Sequence, residues 1–415
     1  MKDRPAILIN EAVNVQAGSN FSLTNWIFFY IAIFFFVANM FVALSIYPAY
    51  SLAIGSSSFQ AGLQNTVLSI TAVLLRFFLG PVLDQQGPKP LMLLGTFTFA
   101  LSPLFLIAVP TYSMLISMRI FQALGLAVVL PGISTLAAGM APPDKIGSYL
   151  GSTRIFFNLG LLIGPSAALY IIENSGYNSM FMVSSVSLII STAAIALVKT
   201  PMLAATHKKR ANLLMQFKKA LAIKAIYPII GGIAVYAFTY SAIISFSAVH
   251  IEISVPSADT PLFFIILGVA GIVACLGVGV LSDRLGRRKV AWPLLAILGA
   301  GAVSFYFIPG RPFLVYASAA ILGLGIQGTS LALAAWLIDI SKPSLRATVL
   351  SLQENTIDIL FAFGAFIFGA AAGGAGLGTA FLAAGIVTIF LVLPLNRGSL
   401  KNASAPDSEN NHPFG

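Results

Sequence analysis

The sequence predicts an all-α membrane protein with twelve transmembrane helices in two six-helix bundles, and three observations predict it. Of 415 residues, 58% are hydrophobic and only 9% charged, too few charges to hydrate the surface of a soluble domain of that size. Apolar runs long enough to cross about 30 Å of hydrocarbon recur along most of the chain. Lysine and arginine gather in every second connection between those runs, the distribution that topology imposes on membrane proteins.

The first 25 residues carry Lys2, Asp3, Arg4 and Glu11 among Asn and Ser, unlike the basic-then-apolar start of a cleaved signal. Residues 26–47 are uncharged and are expected to be a retained first span. Further spans are predicted near 59–83, 90–109, 112–137, 146–172 and 178–198, which complete a first bundle over 26–198. A basic linker, 199–226, separates it from spans near 227–250, 262–281, 290–308, 312–338, 347–370 and 378–396, a second bundle over 227–397. The polar remainder, 398–415, is expected to be disordered.

Counting Lys and Arg in alternate connections puts 19 on one side and Arg311 alone on the other. Both termini and the linker are therefore expected in the cytoplasm, with the chain in the cytoplasmic membrane. The net charge of +10 follows from this bias and not from a basic face for nucleic acid. The linker alternates Lys208, Lys209, Arg210, Lys218 and Lys219 with Leu213, Leu214, Phe217 and Leu221. It reads first as a tether between bundles and second as an amphipathic helix on anionic lipid.

The two halves repeat. Asp84 and Asp283 each follow the second span of their half, with Gly87 and Gly286 three residues on. Leu124-Gly125 recurs as Leu322-Gly323, and Arg154, Asn158 and Gly164 stand 200 positions before Glu354, Asp358 and Gly364. Parallel six-helix repeats are one of the known transporter architectures.

Four motifs sit on this frame. After the eighth span comes Gly279-Val-Leu-Ser-Asp283-Arg284-Leu-Gly286-Arg287-Arg288-Lys289, and after the second Gly80-Pro-Val-Leu-Asp84-Gln-Gln-Gly87-Pro88-Lys89. An Asp at a helix C-terminus is opposed by the macrodipole, so Asp84 and Asp283 require a cation or another helix's N-terminus nearby. The fourth span carries Arg119-Ile-Phe-Gln122-Ala-Leu-Gly125, with Arg119 and Gln122 on one face,. The fifth carries Gly151, Gly160 and Gly164-Pro165, small residues that admit a neighbouring helix and a proline that bends the span.

These motifs resemble those of the major facilitator superfamily, and the resemblance runs from Trp26 to Asn396. The eighth-span loop matches throughout. The second-span copy lacks basic residues at Gln85 and Pro88, and the fifth-span motif ends in Ala168-Leu169 where the family pattern has a glycine pair. The resemblance implies loops that gate alternating access and an Arg119 that faces a central cavity. It also implies, from the fifth-span motif, proton-coupled export of drug or metabolite type.

Within the spans, the first half holds the cations Arg76, Arg119 and Arg154, and the second half the acids Glu354 and Asp358. The two acids share one face of the eleventh span, at roughly 10 and 16 Å from its cytoplasmic end. They repel each other and are withdrawn from water, so one of them can take up and release a proton. In the family's fold the second span neighbours the eleventh, which implies that Arg76 meets Glu354 or Asp358 as the cytoplasmic side closes. A permanent structural network of the same charges is the alternative. Asn39, Asn65, Gln122, Asn158, Tyr236, Tyr240 and Gln327 are candidate solute contacts, each also explicable as helix packing.

The expected function is proton-coupled export of a small organic molecule by a monomer in the lipid bilayer. Uptake or exchange of an organic anion on the three arginines is a second reading. A membrane solute sensor is a third. An enzyme is not expected: there is no phosphate-binding Gly-Lys-Ser/Thr loop, the histidines 207, 250 and 412 stand apart, and Cys275 is the single cysteine,. No cofactor or metal is called for.

Overall fold

The computed structural model describes residues 21–142, 146–200, 218–342 and 345–403. The N-terminal segment up to residue 20, linker residues 201–217 and the tail from 404 lie outside the described residues, and with them most of the basic linker. Every described element is helical.

Ten described helices are long and apolar enough to cross a membrane, and one of them, Gly151–Leu197, is 47 residues long. It contains two spans, because Gly176 breaks the helix at φ 76° and ψ 174°. The second span, Ser58–Gln86, brings the number to twelve. The first span, Leu23–Ser45, is continued by a short helix, Tyr47–Ala53, beyond a break at Ile46 with Pro48 in the new first turn. The third and fourth spans are Pro88–Ala108 and Tyr112–Met140. In the second half the spans are Ile226–Ser254, Thr260–Leu285, Arg287–Ser304, Pro312–Asp339, Arg346–Gly374 and Leu377–Ala403. The last helix continues past residue 398, where the sequence suggested disorder.

Local chemistry sets the ends. Ser57 and Gln60 form a reciprocal capping box at the start of the second span, and Ser22, Thr111 and Asp259 accept from backbone N–H groups in the first turns of theirs. Each cap satisfies a donor that lipid could not. Two connections need almost no loop: Gly87 (φ 79°) joins the second span to the third, and Gly286 (φ 93°) joins the eighth to the ninth. Only glycine takes this backbone conformation without strain.

Within each half the spans pack in equivalent pairs, first on fifth and seventh on eleventh, third on fourth and ninth on tenth, third on sixth and ninth on twelfth. Gly160 and Gly164 seat the first span: a Cβ at either would come within 2.9 Å of the Ala38 backbone. Between halves the contact is close on the side away from the linker. There Gly62 and Gly369 touch, each leaving no room for a Cβ beside the other's Cα at 2.9 Å. Thr66 donates to the Ala362 carbonyl at 2.9 Å, Asn65 to Ser245 Oγ at 2.9 Å, and Ser166 to the Pro261 carbonyl at 3.0 Å.

On the linker side the halves part. Positions at Gly151, Gly277 and Gly279 have nothing within 4 Å of an added Cβ. The linker-side end of the second half closes on its own apolar cluster, including Ile229, Ala274, Val278, Leu333 and Val349, separate from the core that unites the halves elsewhere. Ala220 and Ile223, from the last turn before the seventh span, belong to that cluster.

Candidate functional site

Where the halves part, two ion pairs cross from one to the other. Arg76 of the second span meets Asp358 of the eleventh at 2.5 Å, with both side chains about four-fifths buried at 19% and 18% exposure. Arg154 of the fifth span meets Glu354 of the eleventh at 3.3 Å, with 61% and 48% of the side chains exposed. The first is a short, enclosed pair reinforced by Asn355, whose Oδ1 lies 3.5 Å from the same guanidinium nitrogen. The second is a single long contact between half-exposed side chains. Both acids project from one face because four residues make about one helical turn. Asp358 lies one turn deeper, toward the packed side.

Aromatic side chains stand beside the outer pair. The Tyr236 and Tyr240 rings stack at 5.5 Å and 9°, Tyr240 meets Phe361 edge-on, and the Arg154 guanidinium lies 5.9 Å from the Phe157 ring centre. Asn158 donates to the Arg154 carbonyl at 2.9 Å and contacts Cys275 Sγ across the interface at 3.6 Å, while its buried Oδ1 has no partner. Gln327 closes this corner against Gly271, where an added Cβ would come within 2.7 Å of its Cγ. Cys275 is half-buried at this seam.

Arg119 departs from expectation. It is fully buried in the first half, where it does not face the open cavity. Its Nε donates to Gln64, one terminal nitrogen to Gln122 at 2.9 Å, and the other to the Ala43 carbonyl at 2.5 Å and to Asn65 at 3.0 Å. The Tyr47 ring covers the guanidinium at 4.5 Å. All these partners are neutral, so the fork joins the first, second and fourth spans through geometry and not through charge pairing. Asn65 and Gln122 are committed to this cage. Asn39 is committed elsewhere, to the Phe35 carbonyl and Ser187 at 2.7 and 2.8 Å. All three are buried, out of a solute's reach in this conformation.

The loop motifs bind their own half. Asp283 pairs with Arg287 at 2.6 Å, and Arg287 continues to Asp339 of the tenth span at 2.7 Å. Here the expected compensating cation comes from the motif itself. Arg288 donates to the Asn396 side chain within the twelfth span, and Lys89 donates to the Ala196 and Val198 carbonyls at the end of the sixth. The Lys89 contact places a cation at a helix C-terminus, where the dipole favours it. Gly80 and Asp84 fall where only the helical backbone is described, so their side-chain contacts lie outside the described residues. Arg284 is exposed.

Sequence reasoning missed several of these groups. Gln64 was legible as a polar residue beside Asn65 in an apolar span, and Asp339 as an acid closing a helix three residues before a lysine. Gly62 and Gly369 carry no local signal that separates them from other small residues.

A family model described as Major Facilitator Superfamily matches residues 29–311 and 276–413. The quinolone resistance protein NorA of Staphylococcus aureus is 20% identical over 158 residues, 38% of this chain and 41% of that protein. The multi-drug resistance efflux pump PmrA of Streptococcus pneumoniae is 31% identical over 134 residues, 32% of this chain and 33% of that protein. The chain thus matches less than half the length of these relatives. Among solved structures, the nucleoside transporter NupG superposes with a TM-score of 0.72 at 13% identity, over 91% of this chain and 99% of that one. A bacterial homolog of the human lysosomal transporter Spinster superposes with a TM-score of 0.75 at 14% identity, over 92% and 98%. At such identities the likeness is one of fold.

Proposed function

Because this chain belongs to the Major Facilitator Superfamily and is a multi-pass membrane transporter, not an enzyme, we propose that it exports a small organic molecule in exchange for protons by alternating access. The two ion pairs joining Arg76 to Asp358 and Arg154 to Glu354 across the halves carry this reading. A carboxylate that loses its charge on protonation releases its arginine, and the link between halves weakens when a proton arrives. The partly matching relatives named for quinolone resistance and multi-drug efflux support the outward direction. The concentration of Lys and Arg on the linker side supports a cytoplasmic linker in the cytoplasmic membrane.

Binding of an organic anion is less well supported. Arg119 is enclosed among neutral partners, and Arg76 and Arg154 each already face an acid. The test is transport in proteoliposomes under an imposed pH gradient for Glu354→Gln, Asp358→Asn and the double variant. Gradient-driven accumulation is expected to vanish in the variant at the coupling acid and in the double variant, while solute exchange between equal compartments persists. If all three accumulate solute with unchanged pH dependence, the acids are structural.

A further inference from the structure

We propose that His250 is a proton-responsive latch on the side of the molecule away from the linker, and that its protonation opens that side. This group stands apart from both ion pairs, and its role does not depend on the acids of the eleventh span. A cavity of about 310 Å³ lies between the halves there, lined by Leu52 and Ser58 of the first half and by Val249, His250, Ala372 and Leu377 of the second. It adjoins the closest contact between the halves. The Ser58 carbonyl lies 3.0 Å from a Cβ added to Gly369, which stands about one helical turn before Ala372. His250, near the end of the seventh span, is only 5% exposed. Its Nε2 lies 3.0 Å from the Phe305 carbonyl, which can only accept, so Nε2 carries the proton. Nδ1 is then the acceptor for the Ser254 hydroxyl at 3.2 Å. The Phe305 and Phe381 rings flank the imidazole at 5.8 and 5.3 Å. Among the described residues no acid pairs with His250. Glu252, on the same span, is exposed. Tyr306 shares the surroundings of Gly378 with the imidazole and is uncharged at neutral pH. The first-half, eleventh-span and twelfth-span residues that line the cavity carry no charge.

These surroundings suit the neutral ring. A further proton goes to Nδ1, and the Ser254 hydroxyl must turn from donor to acceptor. A full positive charge then stands in a mostly apolar wall without a counter-ion, a cost that the flanking rings offset only in part. Water can meet the remainder if the cavity widens, which parts the halves where Gly62 meets Gly369. Hydration favours the charged ring in the state open on that side, so acid there favours opening. Histidine suits this role because its charge changes between about pH 5 and pH 8. With the linker in the cytoplasm, the latch faces the medium from which protons enter.

The experiment uses the full-length protein in lipid nanodiscs, with Cys275→Ser and spin labels at Ala53→Cys and Gly373→Cys. Ala53 is exposed, and Gly373 has nothing within 4 Å of an added Cβ. The distance between the labels, one on each half, is read by pulsed electron paramagnetic resonance at a series of pH values from 8 to 5. With His250 intact, the ratio of long to short distances is expected to rise about fivefold on acidification. His250→Gln keeps a donor for the Phe305 carbonyl and an acceptor for Ser254 but takes up no proton. It is expected to keep the short distance at every pH, and agreement with the parent at pH 8 shows that its fold is intact. The response is expected to persist in the Glu354→Gln, Asp358→Asn double variant. A ratio that does not change with pH, or one that still changes in His250→Gln, would overturn the latch. Loss of the response in the double acid variant with His250 present would assign it to the acids instead. A response that follows His250 without any proton-driven transport would sink proton-coupled export and leave the latch standing.

Discussion

Arg119 and Arg76 place the same guanidinium in two different settings, and their substitutions should fail differently. Arg119 supplies four hydrogen bonds to three spans inside a closed cage. Truncation to alanine leaves Gln64, Gln122, Asn65 and the Ala43 carbonyl without their donor and opens a cavity, a loss of more than about 3 kcal/mol. Arg119→Ala should therefore lower the unfolding temperature of the purified protein, beyond abolishing transport. Lysine keeps the charge but not the planar fork, so Arg119→Lys should recover only part of the stability. A normal unfolding temperature in the alanine variant would show that the cage is dispensable. For Arg76, removal of one partner strands the other. Arg76→Gln and Asp358→Asn should each be more harmful than the pair together, with a coupling of about 2 kcal/mol in a double-mutant cycle. Strictly additive unfolding energies would show that the 2.5 Å contact contributes nothing to stability.

Among the elements, the most exacting demands fall on the turns and the helix ends. Gly87 and Gly286 join consecutive spans at φ 79° and 93°, and a side chain there costs about 1–3 kcal/mol in backbone strain. Each alanine variant should lose that much stability in denaturant or heat, and no loss at Gly286 would mean that the turn relaxes freely. Lys89 donates to two carbonyls at the end of the sixth span. Lys89→Ala should cost ~0.5–1 kcal/mol by removing a cation from a helix C-terminus, detectable as faster amide exchange in the last turn of that span. Unaltered exchange would show that water replaces the lysine.

At the scale of the whole molecule, the packed side is closed by backbone contact between the second and eleventh spans. A Cβ on Gly62 meets the Cα of Gly369 at 2.9 Å, and a Cβ on Gly369 meets the Ser58 carbonyl at 3.0 Å. Gly62→Val should keep the halves from closing there, shifting the population toward a state open on that side, since packed interfaces choose between arrangements and do not deform continuously. Spin labels on the second and eleventh spans would read a longer distance on the side away from the linker. An unchanged distance distribution would show that the side chain is absorbed elsewhere.

The sequence by itself determined the solvent, the number of spans and the duplication. Hydrocarbon demands about 20 apolar residues per crossing, and that demand is written in every run from Trp26 to Asn396. It also isolated Arg76, Arg119, Arg154, Glu354 and Asp358, because a charge inside an apolar span stands out without reference to any neighbour. Only the tertiary structure decided which charge meets which, that Arg154 faces Glu354 loosely and Arg76 faces Asp358 tightly, and that Arg119 turns into its own half, away from the cavity. Helical periodicity fixes a residue's face relative to its own axis, and the rotation and tilt of each helix come from packing such as that of Gly160 and Gly164 on Ala38. Those contacts join residues far apart in the chain, and no local pattern records them.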